Sequence, residues 1–178
     1  MSDKNIKNMS LEELAFYISD HLRKNGIEAV LTGGACVSIY SDNAYLSYDL
    51  DFVVQTCKNK ANIRDVLAKI GFFEKNQSFY HKDTDYFIEF VPGPLAVGSE
   101  PVKNISELKE KHLTLKLLSP TECVKDRLAA FYHWNDIQSL EQALLVAKKQ
   151  KIDLKEISRW SKNEMFESKF LEFRKLLK

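Results

Sequence analysis

Apolar positions recur along the first part of the chain with two different periods. Leu14, Tyr17, Ile18 and Leu22 follow one another at helical spacing, the pattern of a helix with one buried face. Ser10 and Glu13 precede them as a capping-box pair, which satisfies two free amides at a helix start, and Gly26 marks the C-terminal end. Ile27 to Thr32 is a short apolar run that reads as a strand and enters Gly33-Gly34. Ala35 to Tyr40 predicts one short helix and Ser41 to Ser47 a polar loop. Asp49 to Gln55 predicts a second strand, apolar after its two acids as a central strand is.

Further on, Ala61 to Ile70 predicts a helix closed by Gly71. Phe72 to Glu74, Ser78 to His81 and Asp85 to Val91 predict strands of an antiparallel extension. Pro92-Gly93-Pro94 breaks the last of these, so an irregular loop is expected as far as Lys103. Leu113 to Leu118 is one more strand candidate. Ser119, Pro120 and Glu122 then make a second capping box with proline at the first helical position. Everything after it reads as helix: Cys123 to His133, Ile137 to Lys149, Leu154 to Ser161 capped by Asp153, and a basic last helix from Glu164. The change at Leu118 and Ser119 divides the chain into a core over 1–118 and a C-terminal helical region over 119–178 packed on it, through an apolar stripe that includes Leu128, Phe131 and Leu140. The fold class expected is α/β (α+β) with a C-terminal helical region.

Composition changes this picture little. In 178 residues, 26 Lys and Arg face 25 Asp and Glu, so no global field argues for nucleic acid or a membrane surface. The three cysteines, Cys36, Cys57 and Cys123, lack zinc-type spacing and are expected as free thiols in a reducing compartment. No apolar run approaches the roughly 20 residues that span a bilayer, and Met1 to Met9 lacks the apolar stretch of a signal peptide. A cytoplasmic protein without a membrane partner is expected.

The chemistry concentrates on Gly33-Gly34 and Asp49-Leu50-Asp51. A helix starting directly after two glycines presents free amides and the positive end of its dipole, which suits an anion. Asp49 and Asp51, two apart on a strand, point to one face, and carboxylates held that closely repel unless a cation lies between them. Mg²⁺ takes oxygen ligands and leaves positions for substrate phosphates. Glu89, a lone acid in an apolar strand, is the expected third ligand, with Asp85 in reserve. His81, His112 and His133 have no metal-ligand spacing and read as structural.

These residues together resemble the nucleotidyltransferase superfamily, whose signature is a glycine pair after a strand, a short helix, Asp-x-Asp on the next strand and a third acid later. Thr32-Gly33-Gly34-Ala35, Asp49-Leu50-Asp51-Phe52 and the Ser119-Pro120-Thr121-Glu122 helix look more closely like the toxin-type branch that includes AbiEii-like proteins. The resemblance spans about Leu31 to Asp136 and implies a nucleotidyltransferase-like fold, a mixed sheet flanked by helices. It implies Mg²⁺-dependent transfer of a nucleoside monophosphate from a nucleoside triphosphate such as ATP to an acceptor hydroxyl on RNA (tRNA included), protein or a small molecule, and a cognate antitoxin as partner. By the same resemblance Gly33 and Gly34 hold the triphosphate, with Ser38 or Ser47 as helpers. Asp49 and Asp51 bind both metals, Glu89 binds one and acts as base, and Lys125 or Arg127 neutralises phosphate charge. No arginine lies between Lys24 and Lys58, where such relatives commonly carry one. That departure keeps open a catalytically inactive module that binds a nucleotide or a partner.

Overall fold

The computed structural model describes residues 6–57 and 62–177, with the side chain of Cys57 outside the description. A 3-10 turn at Ile6–Asn8 leads into α1 (Leu11–Lys24). Its capping box forms as expected: Ser10 Oγ accepts from Glu13 N at 3.2 Å, and Ser10 N donates back to Glu13 Oε2 at 2.9 Å. Then come β1 (Ile27–Thr32), α2 (Gly33–Tyr40), β2 (Asp49–Cys57), α3 (Ile63–Ala68), β3 (Phe73–Lys75), β4 (Ser78–Tyr80) and β5 (Phe87–Val91). The start expected for α3, at Ala61, lies outside the described residues.

Among the described residues, seven strands form one mixed sheet in the order β3-β4-β5-β2-β1-β9-β8, where β8 is Ile105–Glu110 and β9 is Leu113–Leu118. β1 runs antiparallel to β2 and parallel to β9, and β2 runs parallel to β5. The register sets Thr32 against Asp51 and Asp51 against Glu89. Because strand side chains alternate, Asp49, Asp51 and Glu89 share one face of the sheet, while Leu50, Phe52 and Ile88 share the other and are fully buried. A slip of one residue would bury the acids and expose the apolar set, so the hydrophobic pattern itself locks the acid face.

The segment expected as irregular loop contains a small hairpin, β6 (Ala96–Val97) with β7 (Glu100–Pro101). It is tied to α6 (Leu154–Asn163), where Trp160 Nε1 donates to Val97 O at 3.2 Å and Arg159 reaches Glu100 at 2.6 Å. Strands of two residues carry too little periodicity to be read from sequence. β8 shows no strand pattern in the sequence for a related reason. It is an edge strand rich in exposed charge, including Glu107, Lys109 and Glu110, a composition that keeps an edge from pairing with other chains.

The C-terminal helices are α4 (Pro120–Trp134), α5 (Ile137–Lys149), α6 and α7 (Glu167–Leu176). α4 packs on β9, α2, α5 and the hairpin, and α5 packs on α2 and α7. The buried side chains of α1, the sheet and the C-terminal helices form a single apolar cluster. α7 begins three residues later than expected, because Glu164 and Met165 make the turn out of α6 and Met165 takes a left-handed φ of 64°. No helix among the described residues is long and apolar enough to cross a membrane.

Candidate functional site

The site is built where β1 turns into α2. Gly33 has φ +67°, and a Cβ there would overlap the Asp51 carboxylate and stand 3.2 Å from Asp51 Cγ. A Cβ on Gly34 would come 2.7 Å from Ser47 Oγ and 3.3 Å from Tyr45. The two glycines therefore let the start of α2 lie directly against the acid strand, a close approach that no side chain permits. Thr32 is the N-cap residue, yet its side chain makes no capping bond. Its hydroxyl donates instead to Asp51 O at 3.2 Å, fastening β1 to β2 beside the acids. The first amides of α2 thus lack a side-chain cap at the end of the helix where an anion is favoured.

Each flanking carboxylate is held by a serine. Ser47 Oγ donates to Asp49 Oδ1, and Ser78 Oγ donates to Glu89 Oε1 at 2.7 Å. Ser78 sits opposite Glu89 in the β4–β5 ladder. Nothing in the sequence marks it, since a serine opening a three-residue strand has no pattern of its own.

Burial pushes the Asp51 carboxyl up to about 7, reinforced by the charges of Asp49 and Glu89 and opposed by Arg127. This strip of carboxylates is short of positive charge, and its donors are all oxygen, so its chemistry fits a hard divalent cation such as Mg²⁺. The side chains as they stand are not gathered into a complete ligand set. Among the described residues no three or more His, Cys, Asp or Glu side chains are gathered as a metal-binding group. The Ser47 and Ser78 hydroxyls engage one oxygen each of Asp49 and Glu89.

Ser38 does not reach this surface. It is fully buried, its hydroxyl donates to Gly34 O at 3.3 Å, and it accepts from Ser47 N at 3.0 Å. It acts through Ser47, tying the loop before β2 to α2, and is unavailable to a nucleotide. Lys125 does not reach this surface either. It is 1% exposed and points into the packing between α4 and α6, with Nζ 3.0 Å from Glu122 Oε2, 3.6 Å from Glu156 Oε1 and 5.5 Å from the centre of the Trp160 ring. Glu122 Oε2 accepts no hydrogen bond, so the charge of Lys125 is what faces it. The second capping box is half formed for the same reason: Ser119 caps Glu122 N, while the Glu122 side chain turns to Lys125.

Arg127, the other expected cation, carries a charge that opposes the rise of the Asp51 carboxyl. Burial works against its charge, but Asp126 keeps it firmly protonated, with Nε 3.0 Å from Asp126 Oδ2 and Nη1 3.4 Å from Gln142 Oε1. Asp126 and Gln142 were not foreseen, because only the packing of α4 on α5 brings them to Arg127. Asp85 precedes β5 and is exposed, away from the ladder that carries Glu89. Asp136 caps α5 through Ser139. In the basic tail, Lys169 Nζ donates to Phe131 O and Tyr132 O at 2.9 and 2.7 Å, so this cation serves the end of α4. Cys36 and Cys123 are buried free thiols; burial raises the Cys36 thiol well above its ordinary range, with Cys123 beside it.

No protein-family model matches the sequence, and no curated protein shows significant similarity to it. Among solved structures, the chain is similar to an antigenic nucleotidyltransferase-like protein from Paracoccidioides brasiliensis, with a TM-score of 0.60 and 13% identity over 76% of this chain and 74% of the other. At that identity the likeness concerns the fold: the chain has a nucleotidyltransferase-like fold.

Proposed function

We propose that the chain is a nucleotidyltransferase, moving a nucleoside monophosphate from a nucleoside triphosphate to an acceptor hydroxyl with Mg²⁺. The observation that carries this reading is the apposition of Asp51, paired with Glu89 across the β2–β5 ladder, to the glycine start of α2. Asp49, Asp51 and Glu89 would hold Mg²⁺, which when bound supplies charge stabilisation to a reacting phosphate. The amides after Gly33 and Gly34 bind phosphate oxygens along the helix dipole. Arg127 adds positive charge on the Asp51 side. Glu89 accepts the proton of the acceptor hydroxyl, and Ser78 keeps its carboxylate oriented for that task.

Pyrophosphate release from each of the four nucleoside triphosphates, and label transfer onto RNA and protein, tests this reading with Asp49→Ala and Asp51→Ala as controls. Signal above background in the wild type and its loss in both variants is expected. Equal signal in all three proteins would sink it.

A second reading, a nucleotide-binding module without turnover, is favoured by the acids not standing as a finished ligand set among the described residues. Calorimetry showing Mg²⁺-dependent nucleotide binding, with no product on any acceptor, selects it over catalysis.

A further inference from the structure

We propose that the acid face continues into a trough between Glu89 and Lys75, and that this trough binds the acceptor, a small aromatic hydroxy acid; the acceptor role rests on the nucleotidyl-transfer reading above. Two neighbouring rungs of the sheet build it. On one, Asp51 of β2 stands against Glu89 of β5, Glu89 against Ser78 of β4, and Ser78 against Lys75 of β3. On the other, Asp49 stands against Phe87, the Tyr80 ring stacks beside Phe87, and Phe73 stands against Tyr80. Alternation puts all of these side chains on one face. The rings of Phe87, Tyr80 and Phe73 form a row, with successive centres 5.5 and 6.3 Å apart, and Phe73 is 53% exposed at its outer end. Val91, 42% exposed, follows Glu89 on the opposite side. Ser78 is the small residue between them, so the floor lies low beside the aromatic row. Asn76 and Gln77, with φ of 52° and 69°, close the β3–β4 hairpin in the kind of two-residue turn that fixes register.

The place of the trough relative to the phosphates points to the acceptor. With the phosphates at the start of α2, beside β1, pyrophosphate leaves on that side of Asp51. An in-line displacement brings the attacking oxygen from the opposite side, which is the Glu89 side, and the body of the acceptor then extends over β4 and β3. The acceptor oxygen bonds to the α-phosphorus, the bond from that phosphorus to the pyrophosphate oxygen breaks, and the hydroxyl proton passes to Glu89. Strands about 4.8 Å apart set Glu89 and Lys75 about 10 Å apart, a span suited to one ring with a hydroxyl at one end and a carboxylate at the other. The ring packs against Tyr80 and Phe87. The carboxylate meets Lys75, which no ion pair engages among the described residues. On this face β3 and β4 present Phe73, Lys75, Ser78 and Tyr80 and no acid, so a cationic acceptor would be repelled by Lys75, and one lysine is too little for a phosphate backbone. A peptide added to the open edge at β3 would lie about 14 Å from Glu89, farther than its side chains reach.

The test is ligand-observed NMR with 4-hydroxyphenylacetate and its cationic counterpart tyramine as probes, in EDTA and without nucleoside triphosphate, so that binding is read apart from turnover. The wild type should bind 4-hydroxyphenylacetate saturably and more tightly than tyramine. Lys75→Glu should reverse that order, shifting the ratio of the two affinities roughly tenfold, since an exposed charge contact changes each affinity up to about fivefold. Tyr80→Ala should weaken both probes about threefold or more, and Tyr80→Phe much less. Lys75 is exposed, and a melting curve verifies that each variant folds; if Tyr80→Ala does not, the reversal at Lys75 decides alone. Absent wild-type binding overturns the proposal, as does an order of affinity that Lys75→Glu leaves unchanged, or equal binding of 4-hydroxybutyrate, which lacks the ring. With Mg²⁺ and labelled triphosphate, transfer to an RNA or protein that 4-hydroxyphenylacetate does not inhibit removes the trough as acceptor site and leaves the nucleotidyltransferase reading. Lys75-dependent binding with no transfer from any triphosphate overturns that reading and the acceptor role, and leaves the trough as a binding site.

Discussion

A Cβ on Gly33 would overlap the carboxylate of Asp51. The glycine that opens α2 and the central acid of β2 thus occupy adjoining space, and the residue at one position limits what the other can be. Gly33→Ala adds strain at φ +67°, which for an L-residue is about 1–2 kcal/mol, and drives Asp51 from its place. A lowered melting temperature together with loss of Mg²⁺-dependent nucleotide binding is expected. Gly34→Ala has no such backbone strain and presses on Ser47, so it should affect binding more than stability. Thermal melts and calorimetry on the two variants separate these effects.

Asp51 gives a pH dependence with a definite sign. Its folded pKa, about 7, lies above the ordinary 3.8, so the folded state holds a proton that the unfolded state releases. The stability this contributes is complete below about pH 4 and is lost as pH rises through about 7. Asp51→Asn does not titrate, and without metal it should exceed the wild type in stability above pH 7 by on the order of 2–4 kcal/mol. Urea unfolding in EDTA from pH 5 to 8 measures the difference. Adding Mg²⁺ should stabilise the wild type and not the variant.

Ser38 is predicted to affect stability first. Ser38→Ala leaves the buried Ser47 amide without its acceptor, a loss of about 1–3 kcal/mol. Any fall in nucleotide affinity should come through Ser47 and Asp49. If Ser38→Ala left stability unchanged and removed nucleotide binding, the hydroxyl would be a direct ligand after all. Chemical denaturation read beside calorimetry decides.

Lys125 and Arg127 should part company. Lys125→Ala strands the buried Glu122 carboxylate and should destabilise by about 3–5 kcal/mol, while Lys125→Met combined with Glu122→Gln should recover most of that loss. The double variant should bind nucleotide as the wild type does. Arg127→Ala should weaken nucleotide binding and raise the Asp51 pKa further, since Arg127 is the cation that opposes the rise. A binding curve for each variant, taken across pH 6 to 8, distinguishes the two lysine and arginine roles.

The sequence by itself determined the order of elements from α1 to β2 and the face on which the acids stand. Those follow from short-range pattern: an apolar period of 3.6 or 2, a capping serine, a glycine at a turn. The likeness to a solved nucleotidyltransferase-like fold agrees with the fold that the resemblance of the glycine and acid motifs implies. Tertiary structure alone decided which polar neighbours the acids have. Ser78 meets Glu89 because β4 pairs with β5, Ser38 is drawn inside by the loop it ties down, and Lys125 faces α6 while Arg127, half a turn away on the same helix, faces the acid side. A helix position states which residues share a face, but the face that meets the site depends on how α4 packs against α2, α5 and α6, and that is set by contacts between segments far apart in the chain.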